Sequence, residues 1–170
     1  MQGGRSSSGR KVPKAFDKKH KAKQEAFGKT RRVVRYLNRE TVEELHRAII
    51  LETYGKLAER SYILNPSVLE LALELPKKCL YGQELYPDLF EKAAVLIREL
   101  IKGHPFEAAN KRTGYMAALT FLDENGYDLE SNIDEAVSVT IRIAMDEADV
   151  EEVAEWLRNH SKRRSHLKRQ

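Results

Sequence analysis

A chain of 170 residues is the size of one domain with extensions, long enough to bury roughly two-thirds of the surface its unfolded form exposes. Its single cysteine, Cys79, excludes an internal disulfide, and no secretory pattern or apolar run of membrane-spanning length occurs, so a soluble cytoplasmic protein is expected. The net charge of +4 averages opposites: residues 1–39 carry 13 Lys/Arg against 2 acids, residues 161–170 carry 5 against none, and residues 40–160 carry 12 against 24.

Residues 1–35 are rich in Gly, Ser, Lys and Arg and poor in large apolar side chains, so they are expected to stay disordered. This arm reads either as an electrostatic contact for nucleic acid, RNA included, or for the ribosome, or else as a solvated extension or a misplaced start codon. The basic residues of 161–170 read either as a tail or as favourable charges following a helix C-terminus.

Thr41 with Glu44 forms a capping-box pattern, and Val42, Leu45, Ile49 and Tyr54 follow at helical spacing, predicting a first helix over Thr41 to Tyr54 that stops at Gly55. Ser67 with Glu70 repeats the pattern ahead of Val68, Leu71 and Leu75, and Pro76 ends that helix. The stretch from Cys79 to Pro87, with Gly82 inside it, reads as a loop or short flap. From Asp88 a wide apolar stripe (Leu89, Phe90, Ala93, Leu96, Ile97, Leu100, Ile101) predicts a buried central helix ending at Gly103.

A second central helix is expected from Asn110 to Asn125-Gly126, carrying Tyr115, Met116, Leu119, Phe121 and Leu122. Asp134 to Met145 carries Ala136, Val137, Ile141 and Ala144; its β-branched run Val137–Ile141 admits a strand, but length and flanking caps favour a helix. Asp149 with Glu152 caps a last helix bearing Val153, Trp156 and Leu157. With no internal repeat and no alternating strand pattern elsewhere, the class is all-α, a bundle of about six helices over residues 36–160 between a basic arm (1–35) and a basic tail (161–170).

Between the two central helices stands His104-Pro105-Phe106-Glu107-Ala108-Ala109-Asn110-Lys111-Arg112-Thr113. A turn that ends one buried helix and starts another gathers backbone N–H groups and a positive dipole end at one point, which attracts phosphate. Lys111 and Arg112 add cationic donors, Asn110 adds an amide, and His104 can accept a proton near neutral pH. Residue by residue a bland reading also stands: Gly103 caps, Pro105 turns, Phe106 fills the core, and a lone His is structural.

The segment resembles the Fic/Doc signature. His104, Phe106, Ala109, Asn110, Lys111 and Arg112 match it, and Asn110-Lys111-Arg112-Thr113 followed by an apolar helix ending in Asn125-Gly126 is similar to the Doc (death-on-curing) branch. The resemblance extends over about Tyr36 to Arg158, including Leu37-Asn38-Arg39-Glu40-Thr41-Val42-Glu43-Glu44-Leu45-His46, and leaves out the basic arm.

It implies that His104 is a general base, that Asn110 anchors a phosphate oxygen, and that Gly103, Ala109, Lys111, Arg112 and Thr113 surround the nucleotide phosphates. Phe106 would pin the loop, and Tyr81, Gly82 and Tyr86 would form a flap holding the target. The Doc branch implies transfer of the ATP γ-phosphate to a Ser or Thr hydroxyl of a protein of the translation-factor class, with a small antitoxin as partner. The Fic branch implies transfer of AMP instead, and a third reading is a catalytically weakened nucleotide- or RNA-binding module.

The family's acid that helps bind Mg²⁺ is replaced by Ala108. Either Glu107 reaches the ion by a rearranged loop, or the nucleotide holds it, or catalysis is weak.

Overall fold

The computed structural model describes residues 33–55 and 62–165. The expected disorder of the basic arm therefore falls almost wholly outside the described residues, as does the end of the basic tail. Six α-helices are found among the described residues: α1 (Arg39–Tyr54), α2 (Pro66–Glu74), α3 (Leu89–Lys102), α4 (Asn110–Glu124), α5 (Ile133–Ala144) and α6 (Val150–Asn159). None is long and apolar enough to cross a membrane.

Helix α3 is the hub. Eleven of its fourteen residues, Leu89 to Ile97 together with Leu100 and Ile101, are buried, and α2, α4, α5 and α6 all pack on it. An apolar surface running around most of a helix requires partners on every side. Gly114 on α4 permits a close approach to α3: a Cβ there would lie 2.8 Å from Ile101 Cγ1 and 3.2 Å from the Ile97 carbonyl.

Three helices start with complete capping boxes, Asp88/Glu91, Asn132/Glu135 and Asp149/Glu152. The first two helices start earlier than Thr41 and Ser67. Asn38 caps α1, its Oδ1 accepting from the Thr41 amide at 2.9 Å, so Thr41 is the recipient of the cap. Asn65 precedes α2, where Pro66 occupies the first turn, the position at which a missing N–H costs nothing.

The buried face of α2 is Leu69, Ala72 and Leu73, set by packing on α3, and Leu71 is exposed. Likewise α5 buries Val139, Thr140 and Ile143, while Val137 and Ile141 are exposed.

Two short antiparallel strand pairs accompany the helices. The expected flap is a hairpin, β1 (Cys79–Leu80) and β2 (Gln83–Glu84), turned by Tyr81 and Gly82, both with positive φ (51° and 77°), as type I′ turns require. The other pair joins β3 (Tyr127–Leu129) to β4 (Ser161–Arg163), so the start of the basic tail is a strand edge.

Candidate active site

The signature begins where α3 stops. Gly103 closes α3 in an ordinary helical conformation (φ −76°), so its glycine is required by space: a Cβ would meet Val68 Cγ1 at 2.3 Å and the Glu99 carbonyl at 2.7 Å. His104 then adopts a left-handed φ of 49°, uncommon for a residue with a Cβ, and turns the chain back.

The loop is next held as a strand: Phe106 bridges Ile63 in antiparallel fashion, Leu64 and Asn65 donate to the Pro105 carbonyl (2.8 and 3.1 Å), and Glu107 donates to Tyr62 O at 3.1 Å. Extended backbone sends successive side chains to opposite faces. Phe106 is accordingly buried and Glu107 exposed.

Asn110, the first residue of α4 and buried, clasps this loop from below. Its Oδ1 accepts from the Phe106 amide at 3.0 Å and its Nδ2 donates to the Phe106 carbonyl at 2.8 Å. The same Nδ2 lies 3.4 Å from His104 Nδ1, so the imidazole and the start of α4 share one spot.

The N-cap position is Ala109, left-handed at φ 59° and without a side-chain cap bond. Thr113 N–H is the first to find an intrahelical carbonyl, that of Ala109 at 2.9 Å. The amides of the first turn are thus left for an external acceptor, at the positive end of the α4 dipole.

Lys111 and Arg112 are both exposed on that turn. Lys111 makes no ion pair among the described residues, whereas the Arg112 guanidinium donates to Thr53 Oγ1 on α1. Thr113 is fully buried, with its hydroxyl turned inward. It contributes to the site through the helix it helps to hold.

The inward partner of Thr113 is His46 of α1. Its Nδ1 lies 3.0 Å from Thr113 Oγ1, and its ring stacks on Phe106 with centroids 3.8 Å apart and planes 12° from parallel. Burial pushes the imidazole down to about 4, so it is neutral at physiological pH. Asn65 is a second supporting residue, its Nδ2 donating to the His104 carbonyl at 3.1 Å.

Neither role was assigned in sequence. His46 closes the stretch that carries the resemblance and would have been the one signal: a histidine on the apolar face of α1, between Val42 and Ile49.

The hairpin is held separately from the loop. Lys92, buried in the first turn of α3, donates to the Pro76 carbonyl at 3.0 Å, faces Glu84 of β2 at 3.4 Å and lies over the Tyr36 ring. Tyr81 and Gly82 at the hairpin tip are exposed, while Tyr86 is partly buried, its hydroxyl pKa raised by burial and then by the Glu99 carboxylate.

The donor set fits a nucleotide's phosphates: uncapped amides, two cations and one amide side chain beside an exposed imidazole. It offers less to a divalent cation. Ala108 has no ligating atom, Glu107 is the one carboxylate in the loop, and no group of three or more His, Cys, Asp or Glu able to hold a metal occurs among the described residues.

Residues 36–122 match the Fic/DOC family. The chain is 34% identical over 102 residues to "Toxin Doc" of Mycolicibacterium smegmatis, covering 59% of this chain and 75% of that protein. It is 33% identical over 125 residues to "Protein kinase doc" of Escherichia phage P1, covering 74% of this chain and 94% of that protein. The clasped loop, the uncapped helix and the histidine beside it are therefore read within a known lineage: the chain belongs to the Fic/DOC family, with both of these relatives on its Doc side.

Proposed function

We propose that this protein is a Doc-type toxin that transfers the ATP γ-phosphate to a Ser or Thr hydroxyl of a protein target of the translation-factor class, and that an antitoxin restrains it. The observation that carries the reading is the 3.4 Å approach of His104 to Asn110 at the uncapped start of α4. It puts a proton acceptor next to phosphate donors. The printed names of the two relatives, a toxin and a protein kinase, support the same class.

The amides of the first turn of α4, with Lys111 and Arg112, hold the phosphates. Arg112 leaves Thr53 to do so. The second N–H of Asn110 Nδ2, its first being tied to the Phe106 carbonyl, meets a phosphate oxygen once the His104 ring rotates off it. That release matters for the histidine. Accepting a proton at Nε2 requires the other proton on Nδ1, a tautomer that cannot accept from Asn110.

His104 then takes the hydroxyl proton as the target oxygen bonds to the γ-phosphorus and the bond to the β-phosphate oxygen breaks, leaving ADP. Positioning and charge stabilisation carry the rate. Mg²⁺, when bound, shields charge on the phosphates; Glu107 is the loop's candidate to meet it, with the nucleotide supplying the remaining ligands.

The test uses ATP labelled at either the α or the γ phosphate in a cell extract, with His104→Ala as control. Label from γ alone, lost in the variant, is the expected result. Label from α identifies adenylyl transfer and overturns the kinase reading. Retained nucleotide binding with no transfer from either position would leave a binding module. Mg²⁺ titration of wild type and Glu107→Ala then assigns the metal contact: an unchanged midpoint removes Glu107 from it.

A further inference from the structure

Asn65 grips the signature loop at two successive carbonyls. Its backbone N–H donates to the Pro105 carbonyl at 3.1 Å, and its Nδ2 donates to the His104 carbonyl at 3.1 Å. Its own carbonyl accepts from the Val68 and Leu69 amides at 3.1 and 3.2 Å, so one residue ties the start of α2 to the backbone of the signature histidine. Pro66 bars Asn65 from the helical conformation, and the residue stands outside α2 at φ −126° and ψ 81°, alongside the loop. The first turn of α2 reaches Gly103 as well, where an added Cβ would lie 2.3 Å from Val68 Cγ1.

The direction of the Asn65 side chain is informative. An asparagine in the N-cap position ordinarily turns its oxygen onto an amide of its own first turn. Asn65 makes no such bond. The group that faces the His104 carbonyl has to be a donor, because two facing oxygens repel, and this fixes the amide with its N–H groups towards the loop. Helix α2 thus goes without a cap that a serine, an aspartate or an asparagine turned the other way would supply. A local rule broken in this manner is expected where a residue serves a site.

We propose that Asn65 is a positioning residue for His104; its effect on rate rests on the phosphotransfer reading, its hold on the histidine does not. His104 is left-handed at φ 49°, a sparsely populated conformation for a residue with a Cβ, and such conformations persist where their surroundings over-determine them. Among the described residues, two side chains come within hydrogen-bonding distance of it, Asn110 at the ring and Asn65 at the backbone. The ring contact is released when the imidazole rotates to accept the hydroxyl proton. Asn65 then remains as the side chain that fixes where the ring originates, and a reacting group misplaced by about 1 Å loses on the order of a hundredfold in rate.

The test separates holding His104 from holding α2. In the full-length protein, Asn65→Asp keeps the size of the side chain, removes its donors and supplies an acceptor able to cap α2, while Asn65→Ala removes the donors without adding charge. Thermal melts should rank Asn65→Asp above Asn65→Ala, because the aspartate caps. Transfer of label from ATP in a dialysed cell extract should nevertheless fall roughly tenfold to a hundredfold in both variants. In Asn65→Ala the loss lies in kcat, with the KM for ATP within about twofold of wild type, as for a group that orients the base and does not touch the nucleotide. Rates that follow the melting temperatures, or an unchanged rate in Asn65→Ala, would overturn the proposal.

A second readout needs no turnover. In proton–nitrogen correlation spectra of the histidine rings, the His104 signal, identified by its loss in His104→Ala, should shift or split in both variants while that of His46 stays in place. An unchanged His104 signal overturns the proposal whatever the transfer assay gives. If wild type transfers neither phosphate, the phosphotransfer reading falls and the His104 signal alone decides the role of Asn65.

Discussion

The ring of His46 lies flat on Phe106 while its Nδ1 meets the hydroxyl of Thr113, so one buried imidazole touches both flanks of the signature loop. Helix α1 contributes no exposed group to the chemistry through this residue. It sets the floor on which His104 and the first turn of α4 are placed.

A pH dependence follows from that burial. The imidazole is held at about 4 in the fold against 6.5 when unfolded, so between those values the unfolded chain binds the extra proton. The stabilisation is whole above about pH 6.5 and is lost as pH falls towards 4, with about 2 kcal/mol gone by pH 5. Urea unfolding at pH 7 and pH 5 should show wild type losing about that much more than His46→Phe, which keeps the stacked ring and cannot titrate. Parallel losses in the two proteins would remove His46 as the cause.

Asn110→Ala should cost about 2–4 kcal/mol, because the Phe106 amide and carbonyl both lose their partner while remaining buried. Hydrogen exchange should report faster exchange at Phe106 than at the distant capping boxes. Retained protection there would mean that the bridge to Ile63 alone holds the loop.

Replacing Gly103 by Ala tests close packing, since φ there is already helical. The added methyl collides with Val68 and with the Glu99 carbonyl, for a destabilisation of about 1–3 kcal/mol. Val68→Ala in the same chain relieves one collision and leaves the other. Thermal melts of the single and double variants should therefore show partial recovery; full recovery would assign the whole cost to Val68.

Lys92→Ala removes a buried cation from the Pro76 carbonyl and from Glu84, with an expected cost of about 2–3 kcal/mol. Lys92→Met, which preserves the volume, should recover part of the stability but not the hold on the hairpin. The amide of Leu85, which donates to Lys78 O at 2.8 Å, should exchange faster in both variants.

Most of the helices were legible because they rest on local chemistry. Asp88 and Asp149 sit three residues before a glutamate, and the periodicity of α3 is wide enough to announce a buried hub. The two early helix starts have separate local causes. Asn38 caps α1 ahead of Thr41, and Pro66 occupies the first turn of α2 ahead of Ser67, each moving the start by about a turn or less.

The pairing of β3 with β4 joins two three-residue segments over thirty residues apart, and neither carries enough alternation to be seen alone. In the site, the donors of the signature were readable from residue type. The clasp of Phe106 by Asn110 and the seat under it supplied by His46 depend on tertiary approach, which no spacing encodes.

Ala109 stands where a helix usually carries its own acceptor, and its methyl group supplies none. Water or an anion from outside the chain completes α4, and an anion that binds there in the native state alone adds its binding energy to the stability of the fold. A phosphate-bearing ligand at a hundredfold its dissociation constant would deepen the native well by about 2.7 kcal/mol. Under the nucleotide reading proposed above, a protein starved of such ligands would stand at its least stable and would be the more readily cleared by proteases.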